Sequence, residues 1–167
     1  GRWKVKVANC GVIHNEVEFR VMDIIGLLKK GRIKWPFKPR TPTYTSFPIG
    51  PYSLDMGIAG LSGLREFSKM EYREVTRQFK GERIYHGPDV EFLGYNWKMT
   101  LNIVGGKIYK ITAYIETKDR DLANRAVMDG FLYCKNQMGE PDKQQSEMFI
   151  WETMDGSISF QTTQRAG

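Results

Sequence analysis

The stretch YNWKMTLNIVGGKIYKITAYIE, residues 95 to 116, decides the fold class. Tyr95, Trp97, Met99, Leu101 and Ile103 alternate with Asn96, Lys98, Thr100 and Asn102. Successive side chains of a strand point to opposite faces, so this pattern buries one face and wets the other. Tyr109, Ile111, Ala113 and Ile115 repeat it beyond Gly105-Gly106-Lys107, which predicts an antiparallel hairpin. For both apolar sets to share a face, Ile103 must oppose Tyr109 across a loop of odd length. A two-residue Gly-Gly turn would set Leu101 against Lys110.

Downstream, the spacing predicts a helix from about Asp119 to Met138, with Asp119 and Asp121 at its positive end and Gly139 then Pro141 at its stop. Its apolar face reads Leu122, Ala123, Ala126, Val127, Gly130, Phe131 and Cys134, so Cys134 is expected as a buried reduced thiol. A second hairpin closes the chain, Met148 to Thr153 and Ser157 to Thr162. A turn at Asp155-Gly156 pairs Trp151 with Phe160 and Thr153 with Ile158. Upstream, Ser68-Lys69-Met70-Glu71 matches a capping box with Phe67 able to staple onto Tyr72, and a helix is expected to continue to about Lys80 with Gly81 as its stop. His86 and Asp89 read as turn residues around Gly87-Pro88. The expected fold is α+β and two-layer: an antiparallel sheet, built from the long hairpin and the C-terminal hairpin, with helices packed on one face.

The 167 residues carry a net charge of +6, and its placement is uneven. Residues 1 to 51 hold ten Lys/Arg and three Asp/Glu, whereas residues 52 to 167 hold fifteen and sixteen, so the basic excess belongs to the N-terminal third. That third begins with alternating Trp3-Lys4-Val5-Lys6-Val7, a short strand, and continues with a helix from Glu16 to Lys30 capped by Asn15. Five prolines between 36 and 51 predict an extended linker. The expected organisation is a basic strand/helix element over 1–35, a Pro-rich linker over 36–51 and an α+β body over 52–167.

Lys29, Lys30, Arg32, Lys34, Lys38 and Arg40 surround Trp35 and Phe37, and this density of cations attracts an anionic surface. These eight residues are the expected partner-binding set. Partners of suitable chemistry are an acidic protein, a nucleic acid or a membrane surface. A helix on a long tether can also dock on a second copy, giving a homo-oligomer by arm exchange. No apolar run is long enough to cross a bilayer. Two cysteines make no disulfide framework, which fits a cytoplasmic protein while leaving the compartment open, and a chain that opens at Gly1 leaves a leader or anchor ahead of it open too.

Catalytic patterns are sparse. Cys10 and His14 lack the second pair that a structural zinc needs, no Ser sits in a G-x-S-x-G elbow, and Gly57, Gly60 and Gly63 match no phosphate loop. No metal or cofactor is expected, and the favoured function is a non-enzymatic binding or regulatory module. One alternative is a metal-dependent nuclease. Pro88-Asp89 and Glu116-Thr117-Lys118 resemble the Pro-Asp and Glu-x-Lys elements of the PD-(D/E)xK nuclease superfamily. The resemblance implies that Asp89 and Glu116 hold a divalent metal while Lys118 positions or activates the attacking water. Those three side chains must then converge within about 5 to 6 Å.

Overall fold

A computed structural model of the chain describes residues 1–11, 42–145 and 148–165. Its elements in chain order are β1 (Arg2–Gly11), β2 (Arg65–Glu66), α1 (Lys69–Arg73), β3 (Arg83–Phe92), β4 (Tyr95–Val104), β5 (Lys107–Thr117), α2 (Arg120–Met138), β6 (Lys143–Gln145), β7 (Met148–Thr153) and β8 (Gly156–Arg165). The eight strands form one sheet in the order β2-β3-β4-β5-β1-β8-β7-β6, and every pairing is antiparallel. The class is therefore α+β, dominated by antiparallel sheet.

Strand β1 is longer than its alternation predicts and lies at the centre. Val5 opposes Ile115 on one side and Thr162 on the other, and Val7 opposes Ala113 and Phe160. The long hairpin and the C-terminal hairpin each offer an unpaired edge at β5 and β8, and β1 satisfies the backbone groups of both. Residues 1 to 11 are thus woven into the body, a correction to the separate element expected over 1–35. The helix expected over 16–30 and the linker over 36–41 lie outside the described residues. Residues 42 to 51 are anchored: Ile49 is fully buried, Asn9 Nδ2 donates to the Phe47 carbonyl at 3.1 Å, and the Met154 amide donates to the Tyr44 carbonyl at 2.8 Å.

The main core lies on one sheet face. Val5, Val7, Trp97, Met99, Leu101, Ile111, Ala113, Ile158 and Phe160 supply it from the strands, and Ala123, Ala126, Cys134 and Met138 from α2. Asp119 caps α2 by accepting from the Asp121 and Leu122 amides, and Gly139 ends it. Gly130 sets the approach of helix to sheet, since a Cβ there would stand 2.0 Å from Cζ of Phe160. Cys134 is buried and free, and burial pushes its thiol up to about 12.

Helix α1 belongs to the other face, so the two helices do not share one side. Its Glu71 meets His86, which pairs with Thr100 and so points away from the neighbouring inward residues Tyr85 and Leu101. The capping box forms as expected and Phe67 lies 5.8 Å from Tyr72, but the helix stops at Arg73 rather than near Lys80. The buried carboxylate of Glu82 accepts the Gln78 amide at 2.6 Å and the Phe79 amide at 3.2 Å, which draws these donors away from a helical ladder.

Both hairpins reach the expected faces by other routes. The β4–β5 turn is the two-residue Gly105-Gly106, with φ of 59° and 76°, and Val104 opposes Lys107. Beyond it the register shifts between Asn102 and Ile103, where a β-bulge takes up Tyr109 as the extra residue and brings Leu101 opposite Ile111. In the C-terminal hairpin Thr153 opposes Gly156 and Trp151 opposes Ile158, so the turn is Met154-Asp155. Gly156 belongs to β8 because its pairing with β1 leaves no room for a side chain: a Cβ would lie 1.8 Å from the Cys10 carbonyl oxygen.

Candidate functional site

The sheet face opposite α2 is polar along its central strands. Strand alternation and register place Lys4, Lys6, Ala8 and Cys10 of β1 beside Glu116, Tyr114, Thr112 and Lys110 of β5. The next row out is Lys98, Thr100 and Asn102 of β4, opposite Tyr114, Thr112 and Lys110. Small side chains at Ala8, Thr100 and Thr112 make a low floor, and longer side chains of Lys6, Lys98, Lys110 and Tyr114 stand around it. From interstrand spacing, the Cα atoms of Lys6 and Lys98 are about 10 Å apart, and Lys6 and Lys110 about 14 Å.

The electrostatics of this face are unbalanced. Lys4 pairs with Glu116 at 3.4 Å and its Nζ sits 4.1 Å over the Tyr114 ring. Lys6, Lys98 and Lys110 form no ion pair among the described residues. Burial, then the positive charges of Lys110 and Lys4, hold the Lys6 ammonium below the usual lysine range. Burial raises the Cys10 thiol, and the positive charges of Lys110 and Lys6 pull against that rise.

The 67–82 segment forms a wall at the β3 side of the face. Glu71 accepts two bonds from Arg65, at 3.1 and 3.0 Å, and one from the Ser68 amide at 2.7 Å, while His86 Nε2 lies 2.7 Å from it. Phe67 stacks on His86 with ring centroids 4.5 Å apart. His86 is therefore a strand residue held in a packed cluster, in place of the expected turn. Nearer β5, the Glu82 carboxylate receives Asn102 Nδ2 at 2.6 Å and the Tyr109 hydroxyl, and Phe79 packs edge-on against Tyr109 at 5.0 Å.

The residues of the nuclease alternative are spread out. Asp89 lies in the β3 bulge between Gly87 and Val90, also in place of the expected turn, and accepts a bond from Asn96 Nδ2 at 3.4 Å. Glu116 is on β5 and Lys118 just beyond it, so β4 stands between Asp89 and the other two. Two interstrand spacings amount to about 10 Å, against the 5 to 6 Å or so that a shared ion allows. Among the described residues no group of three His, Cys, Asp or Glu side chains is placed to hold a metal.

Lys29, Lys30, Arg32, Lys34, Trp35, Phe37, Lys38 and Arg40 lie outside the described residues. The ends of the stretch that carries them are defined. The chain leaves at Gly11, which opposes Gly156, and returns where the Ser46 amide donates to Asp155 at 2.9 Å. Both ends therefore meet at the β7–β8 turn, beyond the Cys10–Lys110 end of the lysine-bearing face. The alternation of residues 3–7 and 95–116 already assigns Lys4, Lys6, Lys98 and Lys110 to polar sides. What it lacks is the pairing of β1 with β5 that gathers them.

No protein-family model matches the chain, and no curated protein or solved structure matches it either.

Proposed function

We propose that this protein is a non-enzymatic binding or regulatory module that engages an anionic partner, an acidic protein surface included, through its basic residues. The observation that supports it is the set of like charges on the central strands: Lys6 is half-buried between Lys4 and Lys110, and among the described residues a single carboxylate, Glu116, forms an ion pair with the group. Holding ammonium groups together with few counter-ions costs stability, and an anionic ligand recovers that cost when it binds. The basic residues 29 to 40 add six further cations to the same chain. In this reading the body is layered, with α2 and the 47–58 segment on one face and the partner on the other.

The test is elution of the intact chain from immobilised heparin in a salt gradient, run beside two variants, Lys6→Gln with Lys110→Gln, and a chain with the six cations of 29–40 replaced by Ser. Both variants are expected to elute at lower salt, because fewer neutralised charges release fewer counter-ions. Failure of the unaltered chain to be retained at about 50 mM salt overturns the proposal. Adding Mg²⁺ and following the integrity of a nucleic-acid strand tests the nuclease alternative built on Asp89, Glu116 and Lys118.

A further inference from the structure

We infer that the lysine-bearing face takes a single strand of nucleic acid laid across β4, β5 and β1; this rests on the anionic-partner reading above and names the ligand class. The spread of the cations is the first argument. A lone phosphate cannot reach ammonium groups rooted about 10 and 14 Å apart, whereas a chain with repeating charges meets each in turn. The second argument is the floor. Ala8 is small and buried and keeps the centre low, while the partly exposed Thr100 and Thr112 supply hydroxyls, so a sugar-phosphate chain can lie across them with donors and acceptors beneath it.

Third, the face carries a π-surface among the cations. Tyr114 stands between Lys6 and Lys98 in the paired row, with the Lys4 ammonium over its ring and paired with Glu116. A base stacking on Tyr114 displaces that ammonium, which then meets the flanking phosphate. The acidic groups mark the other boundary. The negative charges of Glu116, Asp89 and Glu71 all reach Tyr114, at the opposite end of the face from Lys110, so the phosphates run from beside Tyr114 toward Lys110.

The same features disfavour the competing partners. A broad sheet face has no element to insert into a duplex groove. No large apolar side chain among the described residues of β1, β4 or β5 is exposed for entry into a bilayer, the exposed ones being Tyr44, Met70, Val75, Met128, Leu132 and Met154.

The experiment is fluorescence anisotropy of the intact chain with a labelled oligothymidylate of about 20 nucleotides, compared with a matched duplex, poly-glutamate and phosphatidylserine vesicles. The single strand is expected to bind tightest. Lys6→Gln with Lys110→Gln should reduce the log–log salt slope by about 1.4, two single-strand phosphate contacts. Tyr114→Leu should weaken binding about tenfold with the slope unchanged, and Tyr114→Phe should restore it. Melting curves check that each variant is folded, and if Tyr114→Leu is not, the lysine pair alone decides. Single-strand binding that ignores the lysine pair, or a duplex bound as tightly, overturns the inference. Binding of poly-glutamate or vesicles without the single strand overturns it while leaving the anionic-partner reading standing. No binding to any probe overturns both.

Discussion

The hydroxyl of Tyr109 donates to the carboxylate of Glu82, joining the bulge residue of β5 to the loop that follows α1. Glu82 is 1% exposed, and its two oxygens receive four donors: Tyr109, Asn102 Nδ2 and the amides of Gln78 and Phe79. Burial alone would raise its carboxyl, but the bonds from Tyr109, Asn102 and the two amides outweigh it and hold the group below the usual range. Burial pushes the Tyr109 phenol up, and the neighbouring carboxylate pushes it the same way. One carboxylate thus fixes the bulge, holds the Gln78 and Phe79 amides out of a helical ladder and closes the wall beside the lysine-bearing face.

Replacing Glu82 by Gln puts an NH₂ group among donors and leaves buried hydrogen-bonding groups unpaired. The expected loss is about 2 to 4 kcal/mol of stability, measured by urea unfolding at neutral pH. An unchanged urea midpoint would mean that the four donors find other partners at little cost.

The same group predicts an acid limb. Its folded pKa is depressed, so its contribution to stability is present above the unfolded carboxyl pKa, near 4.3 for a glutamate, and is lost as pH falls through the lower folded value. Unfolding free energy of the native chain should fall below about pH 4.5, and Glu82→Gln should flatten part of that fall. Parallel curves for the two proteins would place the acid sensitivity elsewhere.

Lys6 predicts the opposite trade. Its folded pKa is lowered, so the charged form costs stability at neutral pH, and that cost disappears as pH rises through the folded pKa toward 10.5. Lys6→Met should therefore raise the melting temperature at pH 7 slightly, by about 1 to 2 °C, while weakening retention on heparin. A melting temperature that drops would show that the ammonium is stabilised by its surroundings.

Gly130→Ala sets a helix-propensity gain of about 1 kcal/mol against a clash. The added methyl would fall 2.0 Å from the Phe160 ring, whose partners in the sheet leave it little room to retreat. A net loss of about 1 to 3 kcal/mol in chemical denaturation is expected, and a gain would mean that α2 lifts off the sheet freely.

Cys134 supplies a test of packing. With the thiol 1% exposed and pushed up to about 12, a disulfide reagent at pH 7.5 should leave Cys134 unmodified in the folded chain and modify it after denaturation. Mass mapping of the labelled peptide separates it from the half-buried Cys10.

Residues 95–103, 108–116 and 119–138 were legible along the chain because each carries a complete local signal: alternation on the strands, and a cap, an apolar face and a glycine stop on α2. The Ser68–Glu71 capping box was legible for the same reason. Its helix was not, since Glu82 captures the Gln78 and Phe79 amides only after the chain has folded back. Strict counting across Gly105-Gly106 asked for an odd loop, whereas the bulge at Tyr109, bound to Glu82, absorbs the extra residue within the strand. His86 and Asp89 looked like turn residues because Gly87-Pro88 separates them, and β3 runs through that pair with a bulge.

The sequence by itself determined an α+β chain with a long antiparallel hairpin, a capped helix whose small residues face the sheet, and a basic excess confined to its first third. Tertiary structure alone decided that β1 stands between β5 and β8, and with it that Lys4, Lys6, Lys98 and Lys110 share one face. The physical reason is range. Side-chain period, caps and turns act over a few residues, but Lys6 meets Tyr114 only through a pairing that spans more than a hundred positions, and no local pattern carries that information.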